Sequence, residues 1–441
     1  MAHAVRASIL HFLSDPGESD APGSWQHFDD GVLLIEDGRV LALDHAAALL
    51  PHLPPGTALT DARGMLLMPG FVDTHVHYVQ TDVIAAAARG LLDWLSDHTF
   101  PAEQRFADPQ HARAVAEFFL DELLANGTTT AMVYGSVHRA SVDAFFAAAA
   151  ARRLRMVAGK ALMDRNCPDF LRDSPELAWR DSAELIERWN GQGRLHYAIT
   201  PRFAITSSLA QLDAIARLAR QYPSVHIQTH VAENRDEIAW VAREFPEARS
   251  YLDVYDRHGL LRERAIYGHC IHLDAPDRAR MAASGAAAAF CPTSNLFLGS
   301  GLFDLAAADQ AGFTYALATD VGGGTSFSML RTMSEAYKVA QLQGQRLSPL
   351  RAFYLAGLAG ARALRLDDRI GNLLPGKESD FVLLDPRATP LLARRTAAAR
   401  DVRDILFALM VLGDDRAIAE TWVLGEPAHP AHPNIQRDAP A

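Results

Sequence analysis

The chain is poor in cysteine. Its 441 residues include Cys167, Cys270 and Cys291, which are widely spaced and form no Cys-x-x-Cys pair. A disulfide framework is therefore not expected, and a reducing, cytoplasmic setting fits. Long apolar runs are also missing: no window of 18 residues is both apolar and uncharged, and the alanine run 147–151 ends at Arg152-Arg153. No membrane span is read. The N-terminus lacks a basic segment followed by an apolar run, so no secretory signal is expected. Basic patches are lacking too. With a net charge of -11 and a pI near 5.9, nucleic acid and anionic membranes are not expected partners. Several catalytic signatures are absent. There is no G-x-x-x-x-G-K-[ST] phosphate loop, no G-x-S-x-G elbow and no H-x-E…P-C-x-x-C zinc-deaminase signature. The run Gly322-Gly323-Gly324 does not make a dinucleotide fingerprint. No internal repeat is visible.

What is present is apolar material in abundance. Hydrophobic residues make up 49% of the chain and charged residues 22%, enough for a large core. The length suits a large barrel plus a smaller unit. Residues 1–68 read as β. The apolar runs 31–36 and 39–43 flank Asp37-Gly38, a strong hairpin signal. Residues 14–30 are polar and Gly/Pro-rich, and read as a loop. From Pro69 the pattern becomes short apolar runs alternating with amphipathic helices such as 113–125, 141–153, 209–221 and 234–244. That alternation predicts βα units and a parallel sheet. Eight strands are predicted, at 68–75, 128–133, 155–160, 195–200, 225–230, 265–269, 287–291 and 314–320. The fold class is α/β, a (β/α)8 TIM barrel. After about residue 370 the β character returns, at 381–384 and 418–424. Neither chain end can bury a core alone, so 1–68 and 371–441 are expected to form one small β-sandwich domain beside a barrel at 69–370. The Pro-rich last residues are expected to be loose.

The reactive side chains sit in telling places. His75 and His77 close the first predicted strand as His-x-His. Residues two apart on a strand face the same way, so both imidazoles can meet one borderline metal ion. His230 ends the fifth strand, His269 the sixth and Asp320 the eighth. Active sites of such barrels lie at the C-terminal ends of the strands, so these side chains converge on one metal site. Glu233, three residues after His230, can reach a substrate beside the metal without ligating it. Arg202 carries a donor fork for planar acceptor edges, and the adjacent Phe203 a ring or backbone N–H. Gln80, three after His77, can both donate and accept. Lys160 ends the third strand, but a two-metal centre would need a fuller ligand set. Residues 78–107, with Trp94 and Phe100, read as a long loop after the first strand, suited to covering the site and excluding water.

These motifs resemble the amidohydrolase superfamily across nearly the whole chain and, within it, the guanine deaminase family. The matching stretches are Pro-Gly-Phe-Val-Asp-Thr-His-Val-His ending at His77, Thr-Phe-Pro-Ala-Glu ending at Glu103, and Ile-Thr-Pro-Arg-Phe ending at Phe203. The run from His230 to Glu237, Cys-Pro-Thr-Ser-Asn-Leu from Cys291, and Thr-Asp-Val-Gly-Gly-Gly from Thr319 also match. The resemblance implies one zinc ion per chain, with iron as an alternative, held by His75, His77, His230 and Asp320. It implies Glu233, Asp320 and His269 as catalytic groups and Gln80, Arg202 and Phe203 as contacts to a purine. It implies a homodimer. Asp320 is expected to take a proton from the attacking water. Glu233 is expected to protonate the ring nitrogen beside the amino-bearing carbon and relay a proton to departing ammonia. His269 is expected to stabilise charge on the attacking oxygen. Deamination of a related purine, pterin or triazine-type ring, or a non-catalytic scaffold on the same fold, are the rival readings.

Overall fold

The computed structural model describes residues 2–429 and 436–437. The strands in chain order begin with β1 (His3–Phe12), β2 (Trp25–Glu36), β3 (Arg39–His45) and β4 (Ala58–Pro69). Next come β5 (Phe71–His77), β6 (Thr128–Tyr134), β7 (Arg155–Gly159), the short β8 (Ala161–Leu162), β9 (His196–Pro201) and β10 (His226–Val231). The series ends with β11 (Ala265–His269), β12 (Ala287–Phe290), β13 (Thr314–Leu317), β14 (Phe381–Leu384), β15 (Ile418–Val423), β16 (Glu426–Pro427) and β17 (Gln436–Arg437).

Strands β5, β6, β7 and β9 to β13 pair in parallel, in sequence order, with helices between them. The sheet curls until its edges meet. Asp320 N–H donates to the His75 carbonyl at 2.9 Å, and His77 N–H donates to the Val321 carbonyl at 2.7 Å. The result is a nearly closed (β/α)8 barrel of the expected class. Strands β5 and β6 are buried along their whole length, as a parallel sheet covered by helices requires. The two chain ends meet in the second sheet, ordered β16-β15-β14-β4-β1-β2-β3, with β17 on β4. Its inner face packs Val5, Ile9, Leu33, Leu67, Phe381 and Trp422. Asp37 and Gly38 both have positive φ, as the hairpin between β2 and β3 demands.

Four sequence expectations need adjustment. The first predicted strand, 68–75, is two strands. Pro69 ends β4 in the end sheet, and Phe71 starts β5 in the barrel. Gly70 lies between them, where a Cβ would sit 2.1 Å from the Thr129 hydroxyl. The predicted loop 14–30 gives way to strand at Trp25, because residues 25–28 extend the pairing with β1 (Ile9 opposite Phe28, Phe12 opposite Trp25). The segment 78–107 is not open loop but a chain of short helical turns, including Leu91–Trp94, Leu95–Thr99 and Phe100–Gln104, with Trp94 and Phe100 buried. Between β14 and β15 the chain forms the helices Pro390–Thr396 and Val402–Leu412. The second is capped by Asp401, buries Leu406 and Leu409, and sets Phe407 edge-on to Tyr337. The tail expected to be loose lies mostly outside the described residues. Among the described residues no helix is long and apolar enough to cross a membrane.

The end sheet and the barrel are joined by buried charge. Glu378 accepts from Arg155 Nε at 2.8 Å and from Arg194 Nη2 at 2.7 Å, and Arg194 also pairs with Asp380. These two arginines hold the Glu378 carboxyl below its usual range, despite the opposing effect of burial, which is the largest single influence on it.

Candidate active site

The strand periodicity places His75 and His77 on one face of β5, at its C-terminal end. His77 Nε2 lies 3.4 Å from His75 Nε2 and 3.2 Å from His230 Nε2. Asp320 Oδ1 lies 3.3 Å from His75 Nε2 and 3.4 Å from His77 Nε2. His230 donates its other ring nitrogen, Nδ1, to the Arg202 carbonyl at 2.6 Å, so its Nε2 lone pair faces the cluster. The Nδ1 atoms of His75 and His77 are buried without a hydrogen-bond partner. Burial, reinforced by the neighbouring imidazoles, pushes the pKa of His77 and of His230 well below the usual histidine value, which keeps both rings neutral and ligand-ready. Burial pushes Asp320 upward, but the adjacent His75, with His269 and His230, brings it down to about 2.

Imidazole nitrogens and a carboxylate oxygen this close to one another fit a metal ion. Zinc sits roughly 2.0–2.1 Å from His nitrogen and carboxylate oxygen, and a tetrahedron of that radius has edges of about 3.3–3.4 Å. The observed spacings of 3.2–3.4 Å match those edges. The spacing of His75, His77 and His230 marks them as a potential metal-binding group, and His75, His269, Cys291 and Asp320 form an overlapping one. The cluster is tightly packed. A Cβ on Gly268, in β11, would stand 2.7 Å from His75 Cε1. Tyr134 lies against both rings, at 4.9 Å from His75 and 4.3 Å from His77. His269 and Asp320 adopt positive φ (69° and 51°), the backbone strain often found where side chains are aimed for function.

Beside the cluster lies a small cavity. His77, His230, His269, Asp320 and Glu233 face it, as do Gln80, Arg202 and Phe203, so every predicted site residue except the fully buried His75 lines one space. Glu233 accepts from Ser300 Oγ at 3.1 Å, and its other oxygen is 3.3 Å from His269 Nε2. Burial and the charge of Asp320 push Glu233 up to about 8, against the opposing hydrogen bond from Ser300. A carboxylic acid that keeps its proton at neutral pH is a proton donor in waiting. His269 Nδ1 is 2.9 Å from Asn295 Oδ1, which fixes the ring's face. Glu237 caps the turn, its Oε2 accepting from the backbone N–H groups of Glu233 and Asn234 at 3.1 Å each.

Sequence reasoning missed four supporting residues: Ser300, Asn295, Glu237 and Glu103. Asn295, Glu237 and Glu103 lie inside stretches singled out above for their family likeness, which was the available signal. Ser300 carried none. Leu91, Trp94 and Leu95, from segment 78–107, wall the cavity.

A family model, described as the amidohydrolase family, matches residues 66–428. The chain belongs to the amidohydrolase family. Amidohydrolases are metal-dependent, which suits the buried His/Asp cluster. The chain is 50% identical over 423 residues to a guanine deaminase from Escherichia coli (strain K12), covering 96% of each. It superposes on a solved structure of E. coli guanine deaminase with a TM-score of 0.94 at 48% identity, covering 96% of this chain and 99% of that one. A guanine deaminase from C. acetobutylicum, solved with guanine bound in its active site, gives a TM-score of 0.87 at 25% identity, covering 97% of this chain and 100% of that one.

Proposed function

We propose that this chain hydrolyses guanine to xanthine and ammonia. The observation that carries the reading is one cavity onto which a buried His/Asp cluster, the buried Glu233 carboxyl and the polar side chains of Gln80 and Arg202 all face. Half-identity to a guanine deaminase over almost the full length supports it. We place the catalytic barrel at 69–370 and a smaller β unit at 1–68 with 371–441.

In this proposal His75, His77, His230 and Asp320 hold one metal ion per chain, zinc, with iron as the alternative. Such an ion, when bound, supplies a water acidified from 15.7 towards roughly 7. Asp320, ionised throughout the neutral range, receives a proton from the attacking water. Glu233 gives its proton to the ring nitrogen beside the amino-bearing carbon, which makes that carbon electrophilic. The carbon–oxygen bond forms, the carbon–nitrogen bond breaks, and Glu233 relays a proton to the departing amino group. The proton held on Asp320 then returns to Glu233, so that in net the two protons of water end one on the ring nitrogen and one in ammonia. His269, 3.3 Å from Glu233 and 3.8 Å from Asp320, stands where charge develops on the attacking oxygen. Arg202 and Gln80 meet the carbonyl edge of the ring, and Phe203 packs against it. The wall of segment 78–107 excludes water.

The same proposal includes a homodimer and a cytoplasmic location, both inferred from likeness to the guanine deaminase family and checked by sedimentation and cell fractionation. The function is tested by ammonia release from guanine beside adenine, 8-oxoguanine, cytosine and a pterin. Release from guanine far above the others is expected. Silence on guanine with release from another ring would overturn the substrate.

A further inference from the structure

Glu103 has no role in the chemistry above, yet it is fully buried behind Gln80 and Arg202, which line the cavity. It reaches there from the short helix Phe100–Gln104. Its two oxygens accept from Arg202 Nη1, at 2.7 and 2.6 Å. Oε1 also accepts from Gln80 Nε2 at 3.1 Å. The Gln80 amide is pinned from its other end, because Gly322 N–H donates to Oε1 at 3.2 Å. Phe100, from the same helix, lies under the guanidinium at 5.4 Å. One carboxylate therefore fixes both side chains that would read the purine edge.

The pairing has a second consequence. A buried guanidinium alone would attract any anion that fits the cavity. Paired with Glu103, Arg202 keeps the donors on Nε and Nη2, which that pairing does not use, while its charge is balanced. Such a reader suits a neutral ring and disfavours an anionic one. Xanthine, with a second carbonyl, loses a ring proton more readily than guanine does.

We propose that Glu103 is a positioning residue that aligns Arg202 and Gln80 and, by balancing the charge of Arg202, makes the site select neutral over anionic purines, its own product included. The inference rests on the guanine reading above. It predicts weaker product inhibition once xanthine ionises.

The test is inhibition of the metal-loaded enzyme by xanthine and by hypoxanthine, each measured below and above the first ionisation of xanthine but below that of hypoxanthine. Hypoxanthine stays neutral throughout and reports the protein's own titration. The other ionisable groups lining the cavity (His77, His230, Glu233, Glu237, His269 and Asp320) act on both probes. In the unaltered enzyme the ratio of the xanthine to the hypoxanthine inhibition constant should rise about fivefold or more across that ionisation. In Glu103→Gln the rise should vanish or reverse, with kcat/KM for guanine down about 10–100-fold, the loss expected when a hydrogen bond to a charged group goes. Most of that loss should appear in KM, and bound metal should stay unchanged. A flat or falling ratio in the unaltered enzyme overturns the inference, and needs no variant to fold. So does a Glu103→Gln enzyme that loses activity but keeps the original ratio. Failure of the guanine reading would look different: metal-loaded, unaltered protein would release no ammonia from guanine at all.

Discussion

Gly268→Ala puts the metal assignment under direct strain. The added methyl would stand 2.7 Å from His75 Cε1, 3.1 Å from Nδ1 and 3.2 Å from Nε2. Carbon atoms in contact settle at about 3.5–4.0 Å, so the ring must retreat by roughly 0.8 Å or more. The strand cannot yield instead. Gly268 is paired with His230 on β10 and with Ala289 on β12, inside a packed barrel. Metal–ligand distances tolerate only about 0.2 Å, so the displacement is several times the allowed error. Overpacking of this kind costs about 1–3 kcal/mol of stability, and a misplacement near 1 Å costs about 100-fold in rate. The expected variant is folded, with a modestly lower Tm, metal affinity down about 10–100-fold as for other disturbed ligand supports, and kcat/KM for guanine down by a similar factor. Excess metal should restore part of the rate. Elemental analysis after dialysis, thermal melting and ammonia release read the three quantities. A Gly268→Ala protein with full metal and full turnover would refute the placement of His75 Nε2 in the first coordination sphere.

Glu233→Gln should keep its metal and lose about 100- to 10,000-fold in kcat, the usual worth of a general acid–base group. Because the acid form of Glu233 is the working one, activity on guanine should fall as pH rises through about 8, and a rate that climbs steadily to pH 10 would contradict that role. Glu378→Gln should lower stability by about 3–5 kcal/mol, since it leaves Arg155 and Arg194 buried with a broken partner, while KM for guanine stays near its original value in the folded protein. The carboxyl of Glu378 titrates below its ordinary value, so the stability it contributes is present above the unfolded pKa and lost as pH falls through the folded one; urea midpoints measured down the acid range should converge for the two proteins.

The strand ends were the legible part of this molecule. A period of two put His75 and His77 on one face, and the apolar runs before His230, His269 and Asp320 marked them as strand-terminal, where a barrel gathers its chemistry. Glu103 was not legible in that way. It lies 23 residues from Gln80 and 99 from Arg202, and only the fold of 78–107 brings the three together. That segment was opaque because its turns are too short to show a period. The helix Val402–Leu412 hid for the opposite reason. Its run of apolar residues reads equally as strand or buried helix, and the returning β character at both flanks masked it. The break at Gly70 was invisible because what decides it is a contact with Thr129, on another strand.

The most direct measurement is to turn over guanine with metal-loaded protein in 18O-labelled water and analyse the products. Equal amounts of ammonia and xanthine are predicted, with one solvent oxygen at the carbon that carried the amino group. Ammonia without labelled xanthine, or no ammonia from guanine by protein carrying its full metal, would contradict hydrolytic deamination at this site.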